Sequence, residues 1–233
     1  MGQVMTLFST IFPLLCWFAY NMGVPLLERH RPSLSVIMSM QRRRWVANAA
    51  RRESPLDAIL SANIMGSVSF LASTSVLLAL AIFTAFGNLG ALLETLQTAG
   101  FRTTYTTADV QVHLFAMLAV FVMSFFSFTL ALRQFNHFCI LLGALDHDGH
   151  TSKEEIDAIA QLNSLAAKNF NNGIRAYYFA VPTVAWFANE WLSVVISLVT
   201  VAFILHREFF SSAHRVAASV AVLASRREQQ DKS

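Results

Sequence analysis

The chain has 233 residues, of which 55% are apolar and 13% are charged, and its mean hydropathy is +0.50. Soluble domains are about 25% charged, so this composition excludes an ordinary soluble protein and predicts an integral membrane protein. The net charge of +3 comes from basic segments beside apolar ones, a distribution that argues against nucleic-acid binding.

Apolar segments long enough to cross a bilayer occur along the whole chain, which we treat as one membrane domain, residues 1–233. A membrane helix needs about 20 residues. The last apolar region, from Ile174 to Leu205, is too long for one span and breaks near Asn189 and Glu190. The sequence predicts an all-α membrane bundle of five transmembrane helices, at about 4–27, 58–86, 110–132, 174–188 and 191–206.

The basic residues decide between four spans and five. Cytoplasmic loops of membrane proteins carry an excess of lysine and arginine. With five spans and the amino terminus outside, every basic residue except Arg102 faces the cytoplasm, whereas four spans would put the basic tail outside. We therefore predict a multi-pass protein of the bacterial inner membrane, with its carboxyl terminus inside. The loop at 146–165 and the tail at 207–233 are then cytoplasmic.

A basic amphipathic segment follows the first span. Residues 33–52 carry Leu34, Ile37, Trp45 and Ala49 at helical spacing, opposite much of their arginine. This pattern predicts an interfacial helix on the inner membrane surface, with its arginines on lipid phosphates. The alternative is a solvated loop that only sets the topology. The residues expected to contact lipid are Arg42, Arg43, Arg44, Trp45, Arg51 and Arg52.

The next helix has a clear predicted start and end. In the motif SPLD, Ser54 is a helix cap, Pro55 suits the first helical position, and Asp57 favours the first turn. The motif GNLG, after Phe86, ends the helix. Two small-xxx-small pairs inside it predict close packing against a neighbour.

The loop LDHDGHTSKEE has two interpretations. It resembles part of an EF-hand, with Asp146, Asp148, Ser152 and Glu155 at ligand positions, but Ala144 stands where the first carboxylate belongs. The alternative is a pair of helix ends: Gly149 ends the third helix, and Thr151 or Ser152 caps the next. We favour the helix ends and predict neither a metal nor any other cofactor.

Polar side chains near the predicted spans are candidates for a site, because they are costly in hydrocarbon and usually face protein or water. Arginine binds phosphate or carboxylate, and tyrosine and asparagine can complete an anion's hydrogen bonds. The alternative is that the arginines reach inner-leaflet phosphates while the tyrosines form an aromatic belt. The predicted anion or lipid-headgroup site, near the cytoplasmic boundary, comprises Asn63, Arg133, His137, Asn172, Arg175, Tyr177 and Tyr178.

Several stretches resemble one membrane family. They are RRRW, NIMGSVSFLAS, SFFSFTLALRQFNH, FNNGIRAYYFAVPTVAWF and HREFFSS, and the Gly-x-Arg-x-Tyr-Tyr-Phe element is the most specific. Together they resemble the family catalogued as domain of unknown function 599, found in bacteria and plants, from about Arg42 to Ser212. The resemblance implies a shared architecture for the polar residues and no activity. One departure is the lack of a proline at the turn near Asn189 and Glu190.

The motifs favour a non-enzymatic role. No acidic residue lies inside a span, and no nucleophile set, phosphate loop, nucleotide motif or haem pair is present. We predict a lipid-contacting or accessory protein with a polar cluster facing the cytoplasm. Its expected partners are anionic membrane lipids, with a second copy or another membrane protein as a further partner. The alternative is a transporter or channel for a small anion or a lipid headgroup.

Overall fold

Every regular element in the described part of the chain is an α-helix. The computed structural model describes residues 2–52, 54–101, 105–146 and 150–230. Within these ranges the predicted all-α fold is confirmed. The helices are α1 Gly2–Glu28, α2 Leu34–Ala49, α3 Pro55–Gly87, α4 Leu89–Thr98, α5 Thr107–Gly143, α6 Lys153–Trp186, α7 Glu190–Phe209 and α8 Ser212–Gln230.

Serine side chains fix where α2 and α3 begin. Ser33 Oγ accepts a hydrogen bond from the Val36 N–H at 3.3 Å, and Ser54 Oγ accepts one from the Leu56 N–H at 3.2 Å. The first N–H groups of a helix have no partner within it, so each such cap stabilises the helix by about 1 kcal/mol. The predicted start of the second apolar helix, with Pro55 at the first position, is confirmed.

The loop between α5 and α6 begins earlier than the sequence predicts. α5 ends at Gly143 and not at Gly149. Gly143 comes before Gly149 in the chain, and glycine already disfavours a helix there. Ser152 Oγ accepts a hydrogen bond from the Glu155 N–H at 3.1 Å, so the second of the two predicted caps is confirmed. Residues 147–149, with the middle of the EF-hand alternative, lie outside the described residues.

The turn between α6 and α7 lies where the sequence predicts it and needs no proline. α6 ends at Trp186 and α7 begins at Glu190. Asn189 Oδ1 accepts a hydrogen bond from the Trp191 N–H at 2.8 Å. An asparagine cap therefore starts α7 and replaces the helix breaker that was expected there.

The tail contains a helix that the sequence analysis did not predict. Residues 212–230 form α8, and its start is capped by Ser211, whose Oγ accepts a hydrogen bond from the His214 N–H at 3.1 Å. His214 Nε2 lies 2.9 Å from the carbonyl oxygen of Pro32, and α8 packs along α2. Contact with another part of the chain therefore orders α8.

The chain forms two compact units. In unit 1, Phe128, Phe179 and Trp186 are almost fully buried. In unit 2, Val46, Phe138 and Ile159 belong to one hydrophobic core that joins the end of α2, the end of α5 and the start of α6. Unit 1 comprises Met1–Gly23, Phe70–Phe128 and Asn171–Phe203, and unit 2 comprises Val24–Ser69, Thr129–Phe170 and Ile204–Ser233.

Four helical stretches among the described residues are long and apolar enough to cross a membrane. Their large apolar side chains include many that protein does not cover; Phe70 and Phe83 on α3, for example, are 69% and 67% exposed. So much uncovered apolar surface fits a membrane protein and not a soluble one. The four stretches are Val4–Glu28, Pro55–Gly87, Thr107–Gly143 and Glu190–Arg226.

The segment predicted as an interfacial helix forms the helix α2, and protein covers part of its apolar face. Ile37 and Ala49 are buried, as is Val46, which the predicted apolar face did not include. The Trp45 ring packs edge-on against Phe138, with centroids 5.3 Å apart. Packing in unit 2 therefore accounts for much of the helical pattern, and the position of α2 at a membrane surface stays a prediction.

Within unit 1, α6 approaches α5 closely at Gly173. A Cβ atom at this position would lie 2.6 Å from Cε1 of Phe128, whose ring is fully buried. Ser124 Oγ also donates a hydrogen bond to the Gly173 carbonyl oxygen at 3.0 Å. Glycine is therefore required here for the close approach of two helices.

We expect Gly173→Ala to destabilise the protein by about 1–3 kcal/mol, because the added Cβ forces the fully buried Phe128 ring to shift. The measurement is the thermal unfolding midpoint of the detergent-solubilised full chain. Gly66→Ala is the matched control, since a Cβ there meets no atom within 4 Å, and it should keep or raise the midpoint. Equal midpoints for both variants would contradict the required close approach.

Candidate functional site

Arg175 of α6 is buried in unit 1, with 8% of its surface exposed. Its Nη1 donates a hydrogen bond to Asn21 Oδ1 on α1 at 2.9 Å and a longer one to Asn172 Oδ1 at 3.4 Å. The guanidinium carbon lies 5.1 Å from the centre of the Tyr20 ring, within cation–π range. Two residues of the predicted site, Asn172 and Arg175, are thus together, and Asn21 joins them.

The chemistry of arginine fixes how the two amides are oriented. A guanidinium has only donors, so Asn21 and Asn172 must both present their oxygen atoms to Arg175. Their NH₂ groups then point away from the guanidinium. The sequence analysis expected Asn172 to donate to an anion held by Arg175, and this orientation instead makes it an acceptor that stabilises the buried charge.

The two predicted tyrosines contact other helices. The Tyr177 hydroxyl lies 2.8 Å from Ser75 Oγ and donates to the Leu71 carbonyl oxygen at 2.9 Å, both on α3. The Tyr178 ring packs edge-on against Phe203 of α7, with centroids 5.8 Å apart. These contacts give both tyrosines a packing role between helices of unit 1.

The remaining three predicted residues lie in unit 2 and are exposed: Asn63, Arg133 and His137. Next to Arg133, Gln134 Oε1 accepts a hydrogen bond from Asn169 Nδ2 at 2.8 Å. The predicted set therefore divides into a group on α6 in unit 1 and an exposed group on α3 and α5 in unit 2. Arg133 directly follows the predicted span 110–132, and an exposed arginine at the end of a span is suited to lipid phosphate, in agreement with the second interpretation of the sequence.

A buried polar stack in unit 1 was missed by the sequence analysis. His113 of α5 is fully buried, and its ring stacks on Trp186 at a centroid distance of 4.0 Å. The Tyr105 ring also stacks on Trp186, at 4.2 Å. His113 Nδ1 lies 3.1 Å from Thr10 Oγ1, and Nε2 lies 2.8 Å from the Thr183 carbonyl oxygen.

The hydrogen bonds of this stack assign the protons of His113. A carbonyl oxygen can only accept, so Nε2 carries the proton that faces Thr183, and Nδ1 accepts from the Thr10 hydroxyl. Trp186 Nε1 donates to Ser9 Oγ at 2.9 Å. The stack therefore joins α1, α5 and α6. A histidine inside a predicted span was the signal that could have revealed it.

The predicted lipid-contact residues of unit 2 are partly engaged with acidic side chains. Arg43 forms an ion pair with Asp157 of α6. Arg52 Nη2 lies 3.1 Å from Asp57 Oδ1, and the same oxygen accepts a hydrogen bond from Trp45 Nε1 at 2.6 Å. Asp57 thus fixes both the end of α2 and the loop that follows it.

The six predicted lipid-contact residues differ in exposure. Arg43, Arg51 and Arg52 are exposed, whereas Arg42, Arg44 and Trp45 are half-buried. Burial lowers the pKa of the Arg42 guanidinium, which remains charged at neutral pH because arginine is not deprotonated in proteins. Positive charge is therefore retained at every predicted arginine.

Metal-ligating side chains are scattered in the described part of the chain. Within residues 2–52, 54–101, 105–146 and 150–230, no three side chains of histidine, cysteine, aspartate or glutamate come together as a metal site. Cys16 and Cys139 are both free thiols.

The chain matches one protein family over most of its length. The family model described as "Protein of unknown function, DUF599" matches residues 8–213, which extends the resemblance seen in the sequence to most of α1. No curated protein and no solved structure matches the chain. The matched range includes Asn21, Arg175, His113 and Trp186.

We expect Arg175→Ala to lower the thermal unfolding midpoint, because it leaves the Asn21 and Asn172 oxygens without their donor. Both amides are half-buried, so each loss costs less than the roughly 1–3 kcal/mol of a fully buried unsatisfied group. Lys168→Ala, on an exposed part of the same helix, is the control and should leave the midpoint unchanged. If Arg175→Ala keeps the wild-type midpoint but loses a copurifying anion, the binding interpretation replaces the structural one.

Proposed function

Since the chain belongs to the family DUF599, whose description gives no activity, we propose a function from its fold and its polar contacts. The protein is a non-enzymatic, lipid-contacting accessory protein of the bacterial inner membrane. It crosses the bilayer five times, through α1, α3, α5, α6 and α7.

The observation that carries this proposal is the burial of polar side chains on α6. Arg175 and Thr183, which lie inside the predicted span at 174–188, are both buried, although α6 is not among the helices apolar enough to be recognised as spans by composition. A helix of 34 residues is about 51 Å long, more than the roughly 30 Å of bilayer hydrocarbon. A helix that covers its polar groups with protein can cross a membrane without presenting them to lipid.

The charge distribution supports the orientation. Five spans place the termini on opposite sides, and the excess of arginine in the segments before α3 and after α7 puts the carboxyl terminus in the cytoplasm. Arg51 and Arg52, in the segment before α3, are exposed in unit 2, as is Arg133, which follows the third predicted span and is cytoplasmic in the same topology. Each arginine near an anionic surface contributes about 1 kcal/mol of binding, which supports contact with anionic lipids.

The polar contacts favour a structural over a catalytic role for the buried groups. A catalytic histidine needs a nitrogen within reach of its substrate, whereas His113 has both nitrogens on protein atoms.

The contacts of Arg175 argue against the transporter alternative. The Asn21 and Asn172 oxygens that face Arg175 would repel an anion at that edge of the guanidinium.

The surface of α3 supports an accessory role. The small residues predicted to pack closely, Ala62 with Gly66 and Ser69 with Ser73, are exposed in this chain. Small residues on a membrane helix allow close approach by lipid or by another helix. A second copy or another membrane protein is therefore the partner that we expect beside the lipids.

Cysteine labelling distinguishes five spans from four. Ala188→Cys and Ser225→Cys are each introduced into a chain that also carries Cys16→Ser and Cys139→Ser. Intact cells are then treated with a membrane-impermeant maleimide. With five spans, Ala188→Cys is labelled on intact cells, because α6 has crossed the bilayer before the turn at 187–189. Ser225→Cys is labelled only after lysis, because the tail lies inside.

Two further positions serve as controls. Gln97→Cys is outside and Lys153→Cys is inside for both topologies, so they calibrate labelling and leakage. The reverse pattern, with Ser225→Cys labelled on intact cells and Ala188→Cys protected, would mean that α6 does not cross and would overturn the five-span proposal.

A further inference from the structure

A cleft in unit 2 lies beside the basic segment that follows α2. The end of α2, the first turns of α3 and the last turn of α5 form it, and its volume is about 560 Å³. Most of its surface is apolar, from Ala58, Ala62, Met65 and Gly143. Arg52 and Asp57 line it at the start of α3.

The size and shape of the cleft suit an elongated apolar group. An apolar cavity of about 150 Å³ holds benzene, and small-molecule sites measure roughly 300–1,000 Å³. From Asp57 to Met65 the helix rises about 12 Å, so the charged residues lie at one end of the space and the apolar ones extend from it. Ala58 and Gly143 are exposed, which leaves the cleft open at its side.

The charged end presents the donors of Arg52. Asp57 is buried, and its carboxylate is compensated by the Trp45 and Arg52 donors at 2.6 and 3.1 Å. The Arg52 side chain is 43% exposed, and a guanidinium has five N–H donors, of which the contact with Asp57 uses one edge. Arg51 beside it is also exposed. The end of the cleft can therefore accept an anion while the remainder accepts hydrocarbon.

We propose that this cleft holds one phospholipid of the surrounding bilayer, with its phosphate on Arg52 and an acyl chain along Ala58, Ala62 and Met65. The proposal rests on the proposed function, in which α3 and α5 cross the membrane and the ends of both helices that form the cleft lie on its cytoplasmic side. A phospholipid of the bilayer combines a phosphate with acyl chains in one molecule, and that combination matches the arrangement of the Arg52 donors and the apolar surface. The small side chains of α3 provide the space that the acyl chain fills.

The test counts lipids on the full chain by native mass spectrometry, after mild extraction and addition of anionic or zwitterionic phospholipid. Wild type retains one phospholipid at a collision energy that removes the others. Ala62→Phe fills the cleft and retains none. Ala81→Phe, an exposed alanine farther along α3, retains the lipid and controls for added bulk. The preferred headgroup identifies which of the two lipid classes is bound.

The charged contact is tested by Arg52→Gln, which reduces retention roughly tenfold or more, because one charge-assisted hydrogen bond is lost. Arg51→Gln keeps the contact between Arg52 and Asp57 and retains the lipid within about twofold of wild type. Thermal unfolding of every variant shows that each is folded.

Two results would overturn the cleft proposal. One is wild-type retention by Ala62→Phe. The other is a wild-type dimer without bound lipid that Ala62→Phe dissociates, which would assign the cleft to a second copy. The labelling experiment reports on the five spans independently of lipid count, so failure of the cleft and failure of the proposed function are distinguishable.

Discussion

Buried polar groups in an apolar helical bundle must find partners within the protein, because hydrocarbon offers none. In unit 1 this constraint is met along α6. The Gly173 carbonyl accepts from α5, Arg175 donates to α1, Tyr177 donates to α3, and the Thr183 carbonyl meets His113 of α5. Glu190, after the turn, accepts from Thr6 of α1. Hydrogen bonds to three other helices therefore fix the register and rotation of α6, which apolar packing alone would leave less defined.

The starts of α3 and α6 could be predicted from the sequence because the interactions that set them are local, whereas the end of α5 and the whole of α8 were not predicted. Ser54, Ser152 and Asn189 cap N–H groups two or three residues ahead, within one turn of chain. The partners of the buried groups are different. Arg175 meets Asn21 across 154 residues, and His113 meets Thr10 across 103. Charge counting and the ends of the predicted spans give the side of the membrane near which a residue lies but not the direction in which its side chain points. Arg133 and Arg175, predicted at one depth, are therefore respectively exposed and buried.

Composition and charge gave different numbers of spans for a physical reason. Hydropathy measures how well a helix suits contact with lipid on all sides, and α6, which carries Arg175 inside the predicted span, is not among the helices that meet that measure. Charge counting measures on which side of the membrane a loop lies, whatever the helix between two loops contacts. A helix whose polar groups are covered by protein is therefore counted as a span by the charges of its flanking loops but not by its hydropathy. The burial of Arg175 is therefore the structural observation that bears on the choice between four and five spans, and it favours α6 as a span.

In unit 2 the same constraint acts on a single carboxylate. Asp57 is buried at the start of α3, and it is tolerated there because Trp45 and Arg52 both donate to it. The contact holds one edge of the Arg52 guanidinium in place, so the direction of its exposed edge is set before any ligand arrives. A positioned donor loses less conformational freedom on binding than a mobile one, which strengthens its contact with an anion. An acidic residue can therefore improve a phosphate site, provided that it is buried behind the arginine and already neutralised by it.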